Sequence, residues 1–324
     1  MEELDLDGLD RASADFDAHV LASPDVDLFC SSSTWALPAA LGLMPGRVPF
    51  VRRTEHGFLA LMAVPHGRHR ILQPLEAMWG LGCPVVGEGV LGLAGDLAGA
   101  LHASAPRDIL LLTGLDHGSE RFQAIVRALA PRYHLELGPT TRRLVASLEG
   151  GLDGFLGRRS PKLRTNLRRS QRMARDLGVS FEPCAITPEG AALAYARLLA
   201  IDARSWKGRE EMGIAASSMI DFYRLMIRRL AERGTGRLLF ARREGRDVAY
   251  IFGGLFAGTY RGLQFAFDAD LEACSLGNLC QLEQITRLTG EGVSAYDLGS
   301  DVEYKVRWGE QAKETVALIA YPQR

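Results

Sequence analysis

The stretch AFDADLEACSLGNLCQLEQI, from Ala266 to Ile285, opens with strand-like alternation, passes through a loop of small residues and continues with helical spacing. A strand, a short loop and a helix start bring backbone N–H groups and the positive end of a helix dipole to one point, an arrangement that favours a phosphate. A second anion-seeking pattern lies in RRSPKLRTNLRRSQRMARDLG. There Arg164, Arg168, Arg172 and Arg175 fall at spacings of four, four and three, which places them in one stripe of a helix, with Leu163, Leu167 and Ala174 on another face. The stripe reads either as a solvated helix between domains or as a site for the phosphates of a cofactor, an RNA, a lipid or an acidic partner.

Other reactive patterns are weaker. The chain has no Gly-x-x-x-x-Gly-Lys-Ser/Thr, no Gly-x-Gly-x-x-Gly after a strand and no Gly-x-Ser-x-Gly, which argues against a P-loop, a dinucleotide fold and a nucleophile-elbow hydrolase. His66 and His69 have a metal-like spacing but stand in a loop without further ligands, so no metal site is expected. All seven histidines precede Leu135, and a Cys/His nucleophile built on Cys274 or Cys280 would have to reach across the halves of the chain.

The elements that must position these residues follow from periodicity. In the second half, Val179 to Pro183 reads as a strand and Gly190 to Arg204 and Ser218 to Arg233 as helices. RLLFARRE, DVAYIFGGLF and TYRGLQFAFD then read as three strands joined by hairpin turns. After the loop come a helix (Asn278 to Thr289), a strand (Val293 to Leu298), a short helical piece (Glu303 to Trp308) and a last strand, TVALIAY. The first half repeats the order. FVRRTEHGFLALMAV, from Phe50, lines up with FARREGRDVAYIFGG, from Phe240, and is followed by RILQPL, the glycine-rich WGLGCPVVGEG, a helix, DILLLTGL, a helix and YHLELG. An internal duplication is expected, with lobes at 1–150 and 151–324.

Composition sets the remaining bounds. The 324 residues are long enough for about two domains, and 47% apolar with 24% charged residues describes a globular chain. A formal net charge of −1 gives no global attraction to nucleic acid or membrane. The acidic N-terminus lacks a targeting pattern, no apolar run spans a bilayer, and five scattered cysteines without Cys-x-x-Cys suit a reducing compartment; a cytoplasmic location is expected.

This order of elements resembles the acyl-CoA-binding GNAT superfamily of N-acyltransferases. Its members carry Gln/Arg-x-x-Gly-x-Gly/Ala in the loop; Glu272, Ser275 and Gly277 stand at those positions here, and only the last fits. KLRTNLRRSQRMARDLG, DARSWKG, AFDADLEACSLGN and YDLGSDVEYKVRWG resemble the two-lobed bacterial CelD-type subgroup, related to the Fem-type aminoacyl transferases. The resemblance implies an α/β (α+β) fold of two tandem GNAT-like lobes, each a mixed, mostly antiparallel sheet flanked by helices. It implies that the strands Arg261 to Asp268 and Val293 to Leu298 splay apart to admit the donor's pantetheine arm. Ser275, Leu276, Gly277 and Asn278 would then face the donor's pyrophosphate, and Asp268 would accept the amine's proton or simply end the strand. Tyr304 would protonate the thiolate or pack in the core. Lys305 would stabilise negative charge, contact a donor phosphate or lie on the surface, and Asp297 would orient Lys305 or the acceptor, or cap a turn. Trp206 and Lys207 would lie over the acceptor mouth, Trp206 alternatively as a packing residue.

The function expected on this basis is N-acyl transfer from an acyl thioester, with acyl-CoA or acyl carrier protein as co-substrate and no permanently bound cofactor. The acceptor would be an amine-bearing small molecule, an amino sugar or a peptide. The first lobe would have lost its own site. The alternatives are a Fem-type transferase using aminoacyl-tRNA and a non-catalytic accessory protein of polysaccharide biosynthesis.

Overall fold

The computed structural model describes residues 1–67, 69–104 and 108–323. Contacts group the chain into two compact units, Met1–Arg142 with Glu314–Arg324, and Arg143–Lys313. The sequence pattern drew the lobes at 1–150 and 151–324. The contact grouping differs at the C-terminus because the last strand pairs with a strand of unit 1.

Unit 1 starts with β1 (Glu2–Leu4), α1 (Leu6–Arg11), α2 (Ser13–Leu21), α3 (Leu28–Ser31) and α4 (Ser33–Leu43). Next come β2 (Val48–Arg53), β3 (Phe58–His66), β4 (His69–Pro74), β5 (Val85–Val86), α5 (Val90–Ser104), β6 (Ile109–Leu115), α6 (Glu120–Leu129) and β7 (Tyr133–Ser147). The boundary of the units falls within β7. In unit 2, β7 leads to α7 (Gly151–Gly157), α8 (Pro161–Asp176), β8 (Ser180–Cys184), α9 (Ala191–Asp202), α10 (Trp206–Arg209) and α11 (Met219–Glu232). β9 (Gly236–Arg243), β10 (Arg246–Phe256), β11 (Thr259–Phe267), α12 (Leu276–Gly290), β12 (Ala295–Ser300) and β13 (Gln311–Pro322) complete the chain. The mixed α/β fold expected from the sequence is present.

The units share a topology. In unit 1, β2 and β3 form an antiparallel hairpin, β4 pairs antiparallel with β3, and the chain crosses through α5 to β6, which runs parallel to β4. In unit 2, β9 and β10 form the hairpin, β11 pairs antiparallel with β10, and the chain crosses through α12 to β12, parallel to β11. Parallel neighbours need a crossover of this kind, whereas hairpin partners need only a tight turn. On the far side of the parallel strand, β13 pairs antiparallel with β6 in unit 1 and β7 with β12 in unit 2.

The glycine-rich segment after β4 does not leave a gap in unit 1. β5 folds back onto β3, and Leu81, Cys83, Val85 and Val86 are buried. A cavity of only about 10 Å³ remains beside Glu76, Gly82 and Cys83. Glu76 accepts the Trp79 N–H at 2.6 Å, and burial pushes its carboxyl above the usual range.

The arginine-rich helix forms as its spacing dictates. Ser160 caps α8 by accepting the Leu163 N–H, Pro161 stands in the first turn, and Leu163, Leu167, Ser170 and Ala174 face inward. Arg168, Arg169, Arg172 and Arg175 are exposed.

Candidate active site

The strands β11 and β12 pair only over Thr259↔Ala295, Tyr260↔Tyr296 and Arg261↔Asp297. The last rung is an ion pair: Arg261 Nη2 lies 3.2 Å from Asp297 Oδ2, and Arg143 joins the same carboxylate. Beyond it the strands part. A bulge in β11 helps to turn them, since Phe252 pairs with Gln264 and Gly253 with Gly262, leaving Leu263 as the extra residue.

A cavity of about 50 Å³ occupies the gap. Its walls are Gly262 to Phe265 of β11, Tyr296 and Leu298 of β12, Gln281 of α12, Ile251 of β10, and Lys207, Tyr304 and Lys305. Two glycines permit this packing. A Cβ on Gly262 would lie 2.8 Å from the Tyr296 hydroxyl, and one on Gly277 would lie 2.7 Å from the Phe265 ring, so α12 can press against β11 only with glycine there.

Lys305 is the most perturbed cation of the pocket. Its Nζ donates to the Ser300 carbonyl at 3.2 Å, and burial pushes its ammonium down to about 8; Arg261 and Lys207 act in the same direction, while Asp297 and Asp301 oppose them. Burial of the Tyr304 hydroxyl pushes it up to about 12, although 39% of the residue remains exposed. The Tyr304 ring meets Phe265 edge-on at 5.7 Å. Tyr296 is buried, and desolvation raises its hydroxyl well above the ordinary range.

The structure thus brings Lys207, Tyr304 and Lys305 to one pocket. Trp206, 48% exposed, opens α10 beside Lys207. Asp297 lies outside the lining, held by Arg143, Arg261 and the Gly299 N–H at 2.8 Å, and acts on Lys305 through its charge. Asp268 also lies outside the lining. Its Oδ2 accepts from Arg204 Nε at 3.0 Å and Arg246 Nη2 at 3.5 Å, and its Oδ1 caps the turn 269–274 through the Asp270 N–H. Those contacts are those of an ion-paired strand-end cap.

The loop residues have local roles. Ser275 adopts a left-handed conformation (φ 51°) at the N-terminus of α12, and Leu276 and Gly277 are buried while Asn278 is half-buried. None of the four lines the cavity, and Gly277 answers to the packing of α12 on β11.

Sequence patterns missed Gln264, Gln281 and Tyr296. Gln264 bonds to the Tyr223 hydroxyl, and Gln281 is 3% exposed with Nε2 unpartnered. Their signal was a polar residue on an apolar stretch, in YRGLQFAF and LGNLCQLEQI. A buried amide N–H without a partner costs free energy that a ligand acceptor atom would recover. Among the described residues no His, Cys, Asp and Glu group could hold a metal, and no helix is long and apolar enough to cross a membrane.

Residues 161–306 match the family model described as an acetyltransferase (GNAT) domain, a span that contains every residue lining this pocket. No curated protein matches the chain. Among solved structures it is similar to a conserved protein of unknown function from Bacteroides thetaiotaomicron VPI-5482, with 13% identity over 99% of each chain and a TM-score of 0.67. FemX is similar over 100% of this chain and 98% of its own, with 12% identity and a TM-score of 0.65. The C-terminal domain of a putative lysylphosphatidylglycerol synthetase from Agrobacterium fabrum is similar over 95% of this chain and 91% of its own, with 13% identity and a TM-score of 0.54. At such identities the likeness is one of fold, and residues 161–306 are similar to the GNAT acetyltransferase domain family.

Proposed function

We propose that unit 2 transfers a short acyl group from an acyl thioester to an amine in the pocket between β11 and β12. The observation that carries this reading is the parting of the strands beyond Arg261–Asp297, with Lys305, at about 8, beside Tyr304 in the gap. The donor would be acyl-CoA or an acyl carrier protein, present as co-substrate. The small cavity favours acetyl or a group of similar size. The acceptor would be an amino sugar, an amino acid or a peptide side chain approaching past Trp206 and Lys207.

The pKa order suggests how protons move. The amine nitrogen attacks the thioester carbon and becomes positively charged, and its proton passes to the neutral fraction of Lys305. When the C–S bond breaks, the Lys305 ammonium returns that proton to sulfur. A thiol titrates at about 8.5, so an ammonium at about 8 matches it, whereas a tyrosine at about 12 is a poorer acid. Tyr304 therefore serves as a hydrogen-bond donor to the sulfur or the carbonyl oxygen, and Gln281 Nε2 as a donor to a bound acyl or amide oxygen. Asp268 acts as a strand-end cap. Unit 1, with its corresponding gap filled, is a lobe without a site of its own. A cytoplasmic location suits such donors and the five free thiols.

The test is release of free thiol from acetyl-CoA with a panel of amines, compared with decanoyl-CoA and with the Lys305→Met protein. Amine-dependent release from the short donor that Lys305→Met lacks supports the reading. Release unaffected by Lys305→Met would refute the assigned role, and inactivity with every thioester would favour a non-catalytic accessory protein.

A second reading, an aminoacyl-tRNA donor, draws on Arg168, Arg169, Arg172 and Arg175, which are exposed and without an ion-pair partner among the described residues. It requires salt-sensitive tRNA binding, and a filter-binding measurement at moderate salt without retention would remove it.

A further inference from the structure

On the other side of α12 lies a larger cavity, about 490 Å³, enclosed by α7, α8, α12 and β8. Its apolar wall is made by Leu152, Leu156, Leu167, Phe181, Leu279 and Leu282. These residues come from two separate core clusters, one around Leu167 and Leu282 and the other around Leu279 with Phe181 packed against it. Protein interiors are packed to crystal-like density, and an apolar gap this large forfeits the dispersion contacts of everything that lines it. Its size lies in the range of small-molecule sites. α12 serves both cavities with different faces: Gln281 turns to the pocket between the splayed strands, Leu279, Leu282, Glu283 and Thr286 to this one.

The groove carries charges of both signs, and they differ in how they are partnered. Arg164 and Arg168 line the side formed by α8. Nη1 of Arg164 donates to the carbonyls of Leu156 at 3.2 Å, Gly157 at 3.4 Å and Arg159 at 2.9 Å, which fixes its guanidinium at the edge of the groove. Arg168 is exposed and has no ion-pair partner among the described residues. Asp153 of α7 and Glu283 of α12 also line it, and Glu283 is paired with Arg287 at 3.0 Å.

We propose that this groove binds a medium-chain fatty carboxylate, its chain along the leucine-lined wall and its carboxylate on Arg168 and Arg164. A planar, singly charged head matches the fork of an arginine, and a guanidinium without a competing ion-pair partner gives up only water to bind it. The two carboxylates among the lining residues disfavour a doubly charged phosphate head. The site is independent of the acyl-transfer reading, since no residue is shared between the two linings.

The experiment is calorimetric titration of the full chain with sodium decanoate below its micelle concentration. Saturable binding of one decanoate is expected. Arg168→Ala weakens it roughly tenfold, the loss of about one charge-assisted hydrogen bond, and decan-1-ol binds the wild-type protein correspondingly less well. Thr286→Trp, which fills the groove from α12, abolishes it. The unfolding temperature of each variant is measured alongside, and Arg168→Ala, at an exposed position, supplies the answer if Thr286→Trp unfolds. Failure of decanoate to saturate, or equal binding by wild type and Arg168→Ala, would overturn the proposal.

Discussion

Lys305 faces conflicting demands: its ammonium wants water, and the pocket withholds it. Burial lowers its pKa from 10.5 to about 8, which makes the group a competent base near neutrality and a liability to the fold. Lys305→Met is expected to lower kcat/KM by roughly 10²–10⁴-fold, the usual range for a general acid–base group, and to remove the rise of kcat/KM with pH centred near 8 in the wild type. Tyr304→Phe, which removes a hydrogen-bond donor while the proton path through Lys305 stays intact, costs less and keeps that rise. The same lysine sets a stability prediction. Because its folded pKa lies below its unfolded one, the unfolded chain binds more protons between pH 8 and pH 10.5, and stability rises with pH across that window. Lys305→Met should therefore be more stable than the wild type at pH 7, with the difference shrinking from pH 8 to 10.5, as urea titrations at several pH values would register.

At the scale of elements, the site depends on how tightly α12 lies against β11. Gly277→Val would drive a side chain into Phe265, and overpacking of this kind costs about 1–3 kcal/mol. The expected result is a lower urea midpoint together with loss of donor binding, because Phe265 is also a wall of the pocket. The strands and helices of unit 2 were legible from period and turns: Ser218 to Arg233 and TYRGLQFAFD correspond to α11 and β11 within a residue or so. The hairpin-and-crossover repeat was legible in the pairing of Phe50 with Phe240. Other features were not. β7 runs to Ser147, well past YHLELG, because its last residues find partners on β12, and a long-range pairing leaves no local mark. Asp268 was placed at a strand end with either a proton-accepting or a strand-ending role, and its ion pairs were not legible because Arg204 and Arg246 are remote in sequence. Gln281 and Tyr296 were hidden for the opposite reason: inside a helix and a strand, they face inward like core residues.

For the molecule as a whole, a net charge of −1 means that recognition is local, and the two proposed sites are one pocket and one groove of unit 2. Unit 1 depends on the C-terminus, since Leu318 of β13 is 2% exposed in the cluster that contains Leu110 and Leu112. Leu318→Ala should cost about 2–5 kcal/mol and speed hydrogen exchange across β6. If the gap between β11 and β12 is a donor site, acetyl-CoA binds there, and calorimetric titration measures it. Saturable binding is expected for the wild type and none for Gly262→Val, whose side chain would occupy the space against the Tyr296 hydroxyl while far-ultraviolet dichroism shows the fold intact. Absence of binding to the wild type, or undiminished binding to a folded Gly262→Val protein, would contradict it.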